Sequence, residues 1–173
     1  MNLHQDITDK LDKFICTCTI PLIIFHGASG SGKRTIMNSF INRIYNDDKQ
    51  VIKEYVLYVN CAQGKGIRFI REDLKHFAKT QINTRGGNFF KSIILLNADK
   101  LTIDAQSALR RCIEVFSHST RFFIVVEDKY KLLKPILSRF CEIYVTKPTI
   151  DGVVMNLHKY NVDLTFGACR NDT

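Results

Sequence analysis

Apolar residues along this chain follow two spacings, one typical of helices and one typical of buried strands. From Leu3 to Ile15 they recur every three or four residues, which predicts an amphipathic helix. Short segments rich in β-branched and other apolar residues lack that period and predict strands. These segments are residues 20–26, 51–59, 92–96, 122–126 and 142–145.

Helical spacing returns between the predicted strands. It covers residues 35–45, 67–77 and 104–116, with a shorter helix at residues 131–139 around Pro135. Strands that alternate with helices predict an α/β fold in which helices cover both faces of a five-stranded parallel sheet. We expect this domain to occupy residues 1–150, because the periodic pattern weakens after that point.

Composition and charge narrow the class of protein only slightly. The 173 residues suit one domain, and the net charge of +8 favours a nucleic acid as a partner. The six cysteines form no four-ligand zinc pattern and predict reduced thiols. The longest apolar run is too short to cross a bilayer, and Asp6, Asp9 and Asp12 interrupt any signal peptide. We therefore expect an intracellular protein with no membrane partner.

The strongest chemical motif lies between the first predicted strand and the next helix. Its pattern is G-x-x-x-x-G-K, formed by Gly27, Ala28, Ser29, Gly30, Ser31, Gly32 and Lys33. Glycines at these positions let backbone N–H groups surround a phosphate, and the lysine reaches the β- and γ-phosphates. The sequence therefore predicts an ATP site of the P-loop class, which Arg34 and Thr35 continue into the helix.

The residue after the loop lysine departs from the P-loop pattern. The pattern requires Ser or Thr there to ligate Mg²⁺, and this chain has Arg34. Thr35 is rotated by about 100° around the helix, so it cannot simply replace the missing hydroxyl. We expect Arg34 to turn outward and Mg²⁺ binding to be weakened, and we assign no metal ligand.

The end of the third predicted strand carries a second departure. ATPases of this type place there an Asp for the metal and a Glu that polarises the attacking water. Here the two positions are Leu96 and Asn97, and neither side chain can act as a base. Loss of a general base alone costs about 10²- to 10⁴-fold in rate. The sequence thus predicts ATP binding with weak or absent hydrolysis.

Residues 97–111, which read NADKLTIDAQSALRR, resemble the small subunits of replication factor C, the sliding-clamp loader family. Blocks at residues 59–67, 120–122 and 135–139 agree with that family in order and spacing. The resemblance covers residues 4–150 and implies an AAA+ P-loop domain. It also implies ATP as the cofactor, and other loader subunits, a sliding clamp and primer–template DNA as partners.

The resemblance also suggests roles for individual residues. Arg139, in the Ser-Arg pair of the last block, matches the arginine finger that acts in trans on ATP held by a neighbouring subunit. Glu127 stands where the family usually has an Asn sensor. The family's DNA-tracking helix corresponds to a segment that contains Lys65, Arg68, Arg71 and Lys75.

The spacing of the basic residues supports DNA contact independently. Arg68, Arg71, Lys75 and Lys79 recur every three or four residues beside an apolar stripe. Such a row can follow a phosphate backbone without reading bases. A solvated charged face is the alternative interpretation.

Several family features are missing from this chain. We see no adenine-cradling segment rich in Tyr, Arg and Pro, and no collar domain. We expect residues 151–173 to be the truncated start of a helical lid domain with a loose tail. This abbreviated form resembles clamp-loader-like proteins of large DNA viruses, so a nucleus, a viral replication site or the cytoplasm are the expected locations.

Two other functions are compatible with the loop. A small P-loop kinase would explain residues 27–33 but not the block at 104–111 or the Ser-Arg pair, and no arginine-rich lid is visible. A decayed AAA+ interaction module, which binds partners or DNA without nucleotide, would explain the missing adenine cradle and collar.

Overall fold

A computed structural model describes residues 4–62, 68, 70, 72–80, 90–147, 149–150 and 153–154. The helices are α1 (Gln5–Cys16), α2 (Lys33–Ile44), α3 (Lys49–Tyr55), α4 (Asp73–Lys79), α5 (Ile103–Phe116) and α6 (Lys134–Leu137). The strands are β1 (Ile23–His26), β2 (Val56–Asn60), β3 (Lys91–Leu96), β4 (Thr120–Val126), β5 (Cys141–Tyr144), β6 (Thr149–Ile150) and β7 (Val153–Val154). Short 3₁₀ turns occur at Ala98–Lys100 and Lys129–Lys131.

The first five strands form one parallel sheet in the order β2-β3-β4-β1-β5, which confirms the predicted fold class. β6 and β7 form a separate antiparallel pair. β1 lies between β4 and β5. The connection after β1 runs past β4 and β3 to β2, whereas the connection after β4 runs past β1 to β5, in the opposite direction. The loop after β1 thus occupies a topological switch point, where open α/β sheets bind their ligands.

Alternate residues of the central strands β1, β3 and β4 pack into two cores on opposite faces of the sheet. On one face, Phe25 and Phe123 pack with Leu11 of α1 and Phe40 of α2. On the other face, buried residues of β1, β3 and β4 pack with α4 and α5; these strand residues are Ile24, Ile93, Leu95, Phe122, Ile124 and Val126. Burial on both faces explains why the central strands are apolar without alternation.

The expectation of a strand over residues 51–59 is wrong in its first half. Residues 51–55 belong to helix α3, and β2 begins only at Val56. The Asp48 side chain accepts hydrogen bonds from the backbone N–H groups of Gln50 (2.8 Å) and Val51 (3.3 Å). This N-cap stabilises the first helical turn and outweighs the modest strand preference of the β-branched residues that follow.

Other observed helices differ from the predicted ones by a few residues at their ends. The helix expected at 131–139 is confined to Lys134–Leu137, with Pro135 in its first turn, where a missing N–H costs nothing. Glu72 lies in a turn just before α4, so helical structure does not run unbroken from 67 to 77. Most of residues 151–173 and the loop expected at 83–88 lie outside the described residues. In the part of the chain that is described, no helix has the length and apolar character to cross a bilayer.

Candidate nucleotide site

The loop after β1 owes its shape to glycines in conformations that other residues rarely adopt. The φ angles are 149° at Gly27, 73° at Gly30 and 90° at Gly32. At Gly27 the backbone also approaches β5 closely, since a Cβ atom there would lie 2.2 Å from the Val145 carbonyl oxygen. The loop is therefore held against the carboxyl end of the sheet, and α2 begins immediately after it.

Lys33 spans the loop that precedes it. Its Nζ donates hydrogen bonds to the carbonyl oxygens of Gly27 and Ala28, both at 2.7 Å. Burial lowers the pKa of Lys33, while the negative charges of Glu127 and Asp99 raise it. An ammonium group has three N–H donors, so these two bonds leave one donor for an anion in the loop.

The surroundings of the loop also suit an anionic ligand. α2 begins at Lys33 without a side-chain cap, so N–H groups of its first turn are available and its dipole favours negative charge. The Ser31 hydroxyl is buried and has no hydrogen-bond partner among the described residues. From α1's N-terminal flank, His4 Nε2 lies 3.0 Å from the Ser31 carbonyl oxygen, a contact that sequence patterns did not reveal. These groups fit the phosphates of a nucleotide.

Arg34 and Thr35 both have exposed side chains. Burial raises the pKa of Tyr58 on β2, and the positive charge of Arg34 lowers it. The exposure of Arg34 agrees with the expectation that its side chain turns outward. Within the described ranges, no group of three or more His, Cys, Asp or Glu side chains is arranged to hold a metal ion.

The end of β3 places a neutral side chain and a buried carboxylate near the loop. Asn97 Nδ2 donates to Asn60 Oδ1 at 3.0 Å, which ties the end of β3 to the end of β2. Asp99 has a side chain only 2% exposed, and its Oδ1 has no partner among the described residues. Sequence reasoning overlooked Asp99 as a member of this site, although it lies only two residues after Asn97.

Arg139 lies at the opposite edge of the sheet from the loop. Arg139 lies just before β5, and Cys141, the first residue of β5, pairs with Ile23 at the start of β1. Gly27 lies beyond the other end of β1. Its Nη1 donates to the Pro135 carbonyl oxygen at 2.7 Å, and its Nη2 donates to Glu114 Oε1 at 2.8 Å. The side chain remains 39% exposed, so its unused donors are accessible to another molecule.

The basic residues expected to contact DNA are described only in part. Arg68, Lys75 and Lys79 are exposed, whereas Lys65 and Arg71 lie outside the described residues. The apolar stripe beside them faces the core as expected, since Ile70 and Leu74 are buried, and the Cys112 thiol of α5 donates to the Ile70 carbonyl oxygen at 3.6 Å. This packing directs the described basic side chains toward solvent.

Comparison with curated proteins finds relatives at substantial identity. The chain is 37% identical over 141 residues to a replication factor C small subunit of Halobacterium salinarum, which is 82% of this chain and 42% of that protein. It is 36% identical over 151 residues to the replication factor C small subunit of Natronomonas pharaonis, which is 87% of this chain and 44% of that protein. The chain therefore spans less than half the length of these relatives. No protein-family model matches it.

A solved structure agrees with this relationship at the level of the fold. The DNA polymerase III gamma subunit-related protein of Thermotoga maritima superimposes with a TM-score of 0.64 at 19% identity, over 80% of this chain and 45% of that one. The shared architecture is the parallel sheet with helices on both faces. From the sequence identity over most of its length and the agreement of the fold, the chain belongs to the sliding-clamp-loader family of replication factor C small subunits.

Proposed function

We propose that this chain is a clamp-loader subunit that binds ATP through residues 27–33 and hydrolyses it slowly or not at all. We also propose that it presents Arg139 to ATP held by a neighbouring subunit, in a complex that acts on a sliding clamp and primer–template DNA. The observation that carries the proposal is the placement of Lys33 and Arg139 at opposite edges of one parallel sheet. The edge with Lys33 is placed to bind the chain's own nucleotide, and the edge with Arg139 is placed to contact a neighbour's nucleotide.

ATP binding would depend on groups that the loop already orients. Gly27 and Ala28 hold the Lys33 ammonium with two carbonyl oxygens, and its third N–H would meet a phosphate oxygen. The first turn of α2 and the loop amides would neutralise further phosphate charge. When bound, ATP supplies the triphosphate whose charge these donors offset, and any Mg²⁺ would be held mainly by the phosphates themselves.

Hydrolysis would be slow because, among the residues that the structure describes, neither of the two positions at the end of β3 carries a general base. Leu96 is buried and apolar, and the Asn97 amide is neutral and already engaged with Asn60. Arg34 is exposed and offers no metal ligand. The chain would then serve as a nucleotide-dependent structural subunit whose chemical contribution is made in trans.

Replacement of Lys33 by alanine is expected to weaken ATP binding by about 10- to 100-fold, the usual loss for one charge-assisted contact. Isothermal titration calorimetry with and without Mg²⁺ measures this, with single-turnover hydrolysis on the same sample. Lys53→Ala, an exposed lysine on α3, is the matched control and should bind ATP normally.

Each alternative function has a distinct outcome when the same sample is also assayed with nucleosides and nucleoside monophosphates as acceptors. Rapid hydrolysis by the wild-type chain would contradict our interpretation of Arg34, Leu96 and Asn97. Absence of ATP binding by the folded wild-type chain would favour an interaction module without nucleotide. Phosphoryl transfer to a nucleoside or nucleoside monophosphate would indicate a kinase.

We further propose that the exposed basic row beside α4 contacts the DNA backbone. The double substitution Arg68→Glu with Lys75→Glu should lower affinity for a primer–template duplex and reduce the slope of log K against log salt by about two. Fluorescence anisotropy over a salt series measures both quantities. Lys10→Glu with Lys13→Glu makes the same charge change on α1, across the sheet. If both double variants lose the same affinity for DNA, the effect comes from net charge alone, which would contradict a specific contact at the basic row.

A further inference from the structure

Glu114 lies between two arginines at the surface formed by α5 and the turn before β5. Its Oε1 accepts a hydrogen bond from Arg139 Nη2 at 2.8 Å and another from Arg110 Nε at 2.9 Å. Arg110 is four residues earlier on the same helix, so it holds the carboxylate from within α5. Glu114 in turn holds Arg139, which is 25 residues away along the chain.

We propose that Glu114 is a positioning residue that orients the guanidinium of Arg139 toward the neighbouring subunit's nucleotide. This inference rests on the proposed role of Arg139 in trans. Nothing in the sequence motifs singled out Glu114, because its importance depends on a contact between separate elements. Its neighbour Val115 is exposed, so this stretch of α5 is not simply part of the core.

The geometry leaves the guanidinium anchored on one side and accessible on the other. A guanidinium has five N–H donors in a fixed plane, and Arg139 uses one on Glu114 and one on the Pro135 carbonyl oxygen. Two anchors on different terminal nitrogens fix both the position and the plane of the group. Three donors remain for the oxygens of an anion, which is what bidentate recognition of a phosphate requires.

The exposure of Glu114 argues against a large role in stabilising the fold. The hydrogen bond from Arg110 lowers the pKa of Glu114, and the positive charges of Arg110, Arg139 and Arg111 lower it further. One carboxylate is therefore surrounded by three arginines, so the net charge of this cluster is positive. Exposed pairs of this kind contribute little to stability. Removal of the carboxylate would make the surface more attractive to ATP, so lost attraction for the nucleotide would not explain a loss of activity.

Two substitutions separate orientation from charge. Glu114→Gln keeps an acceptor oxygen and removes the charge, whereas Glu114→Ala removes both. In the complex with the small subunits that co-purify with the chain, we expect Glu114→Ala to lower the neighbour's kcat for ATP hydrolysis by about 10- to 100-fold, in line with misplacement of a catalytic group. Its KM should stay unchanged, and Glu114→Gln should stay close to the wild-type rate.

A measurement on the chain alone tests orientation directly. Slow rotation of the Arg139 guanidinium, seen as resolved Nη resonances by ¹⁵N NMR, is expected in wild type and Glu114→Gln and should be lost in Glu114→Ala. Glu54→Ala, an exposed glutamate on α3, is the control for both assays. The inference is overturned if the alanine and glutamine variants behave alike, or if Glu114→Ala is fully active while Arg139→Ala is not. An active Arg139→Ala would instead overturn the proposed role of Arg139, and this inference with it.

Discussion

Arg139→Ala is expected to lower the ATPase rate of the neighbouring subunit by about 10³- to 10⁵-fold, the contribution of an arginine finger to phosphoryl transfer. The physical reason is that its positive charge would stabilise the negative charge that develops on the transferring phosphoryl group. The same variant should bind its own ATP normally, because Arg139 lies at the edge of the sheet opposite Lys33. Steady-state ATPase assays on the assembled complex, beside calorimetry on the isolated variant, measure both effects.

Two further variants define the role of Arg139 more closely. Arg139→Lys keeps the charge and loses the planar fork, so it should recover only a small part of the rate. Lys134→Ala removes an exposed cation from the first turn of α6 and should leave the rate unchanged. Wild-type turnover by a correctly assembled Arg139→Ala complex would show that this arginine contributes nothing in trans.

Gly27→Ala is expected to destabilise the domain by about 2–6 kcal/mol, the sum of typical costs for backbone strain and for overpacking. The new Cβ would lie 2.2 Å from the Val145 carbonyl oxygen, at a φ of 149° that residues with side chains rarely adopt. Relief of this clash requires the loop to move away from the end of β5. The carbonyl oxygen of Gly27 would then no longer hold Lys33, and ATP binding should be lost as well.

Chemical denaturation and ATP calorimetry on the same variant test both parts of this expectation. Ser39→Ala, at an exposed position on α2, is the control and should change the free energy of unfolding by less than about 0.5 kcal/mol. A Gly27→Ala variant with wild-type stability and ATP affinity would show that the loop does not need its close approach to β5.

The fold was predictable from sequence because its signals are local and strong. The six residues of β3 are all buried, and a nearly continuous apolar run is what a central parallel strand requires. The P-loop was equally predictable, since its glycines and lysine lie within seven consecutive residues. The boundary at residues 51–55 was missed because a single cap, the Asp48 side chain, decided between helix and strand.

Sequence by itself determined the parallel α/β class, the family and the identity of the loop residues, since each follows from local patterns and from their order along the chain. Only the tertiary structure brought Glu127 and Asp99 near Lys33, tied Asn97 to Asn60 and joined Arg139 to Glu114. It also separated Lys33 and Arg139 to opposite edges of the sheet. These relations depend on strand order and register, which bring together residues separated by 25 to 94 positions in a way that no local pattern encodes.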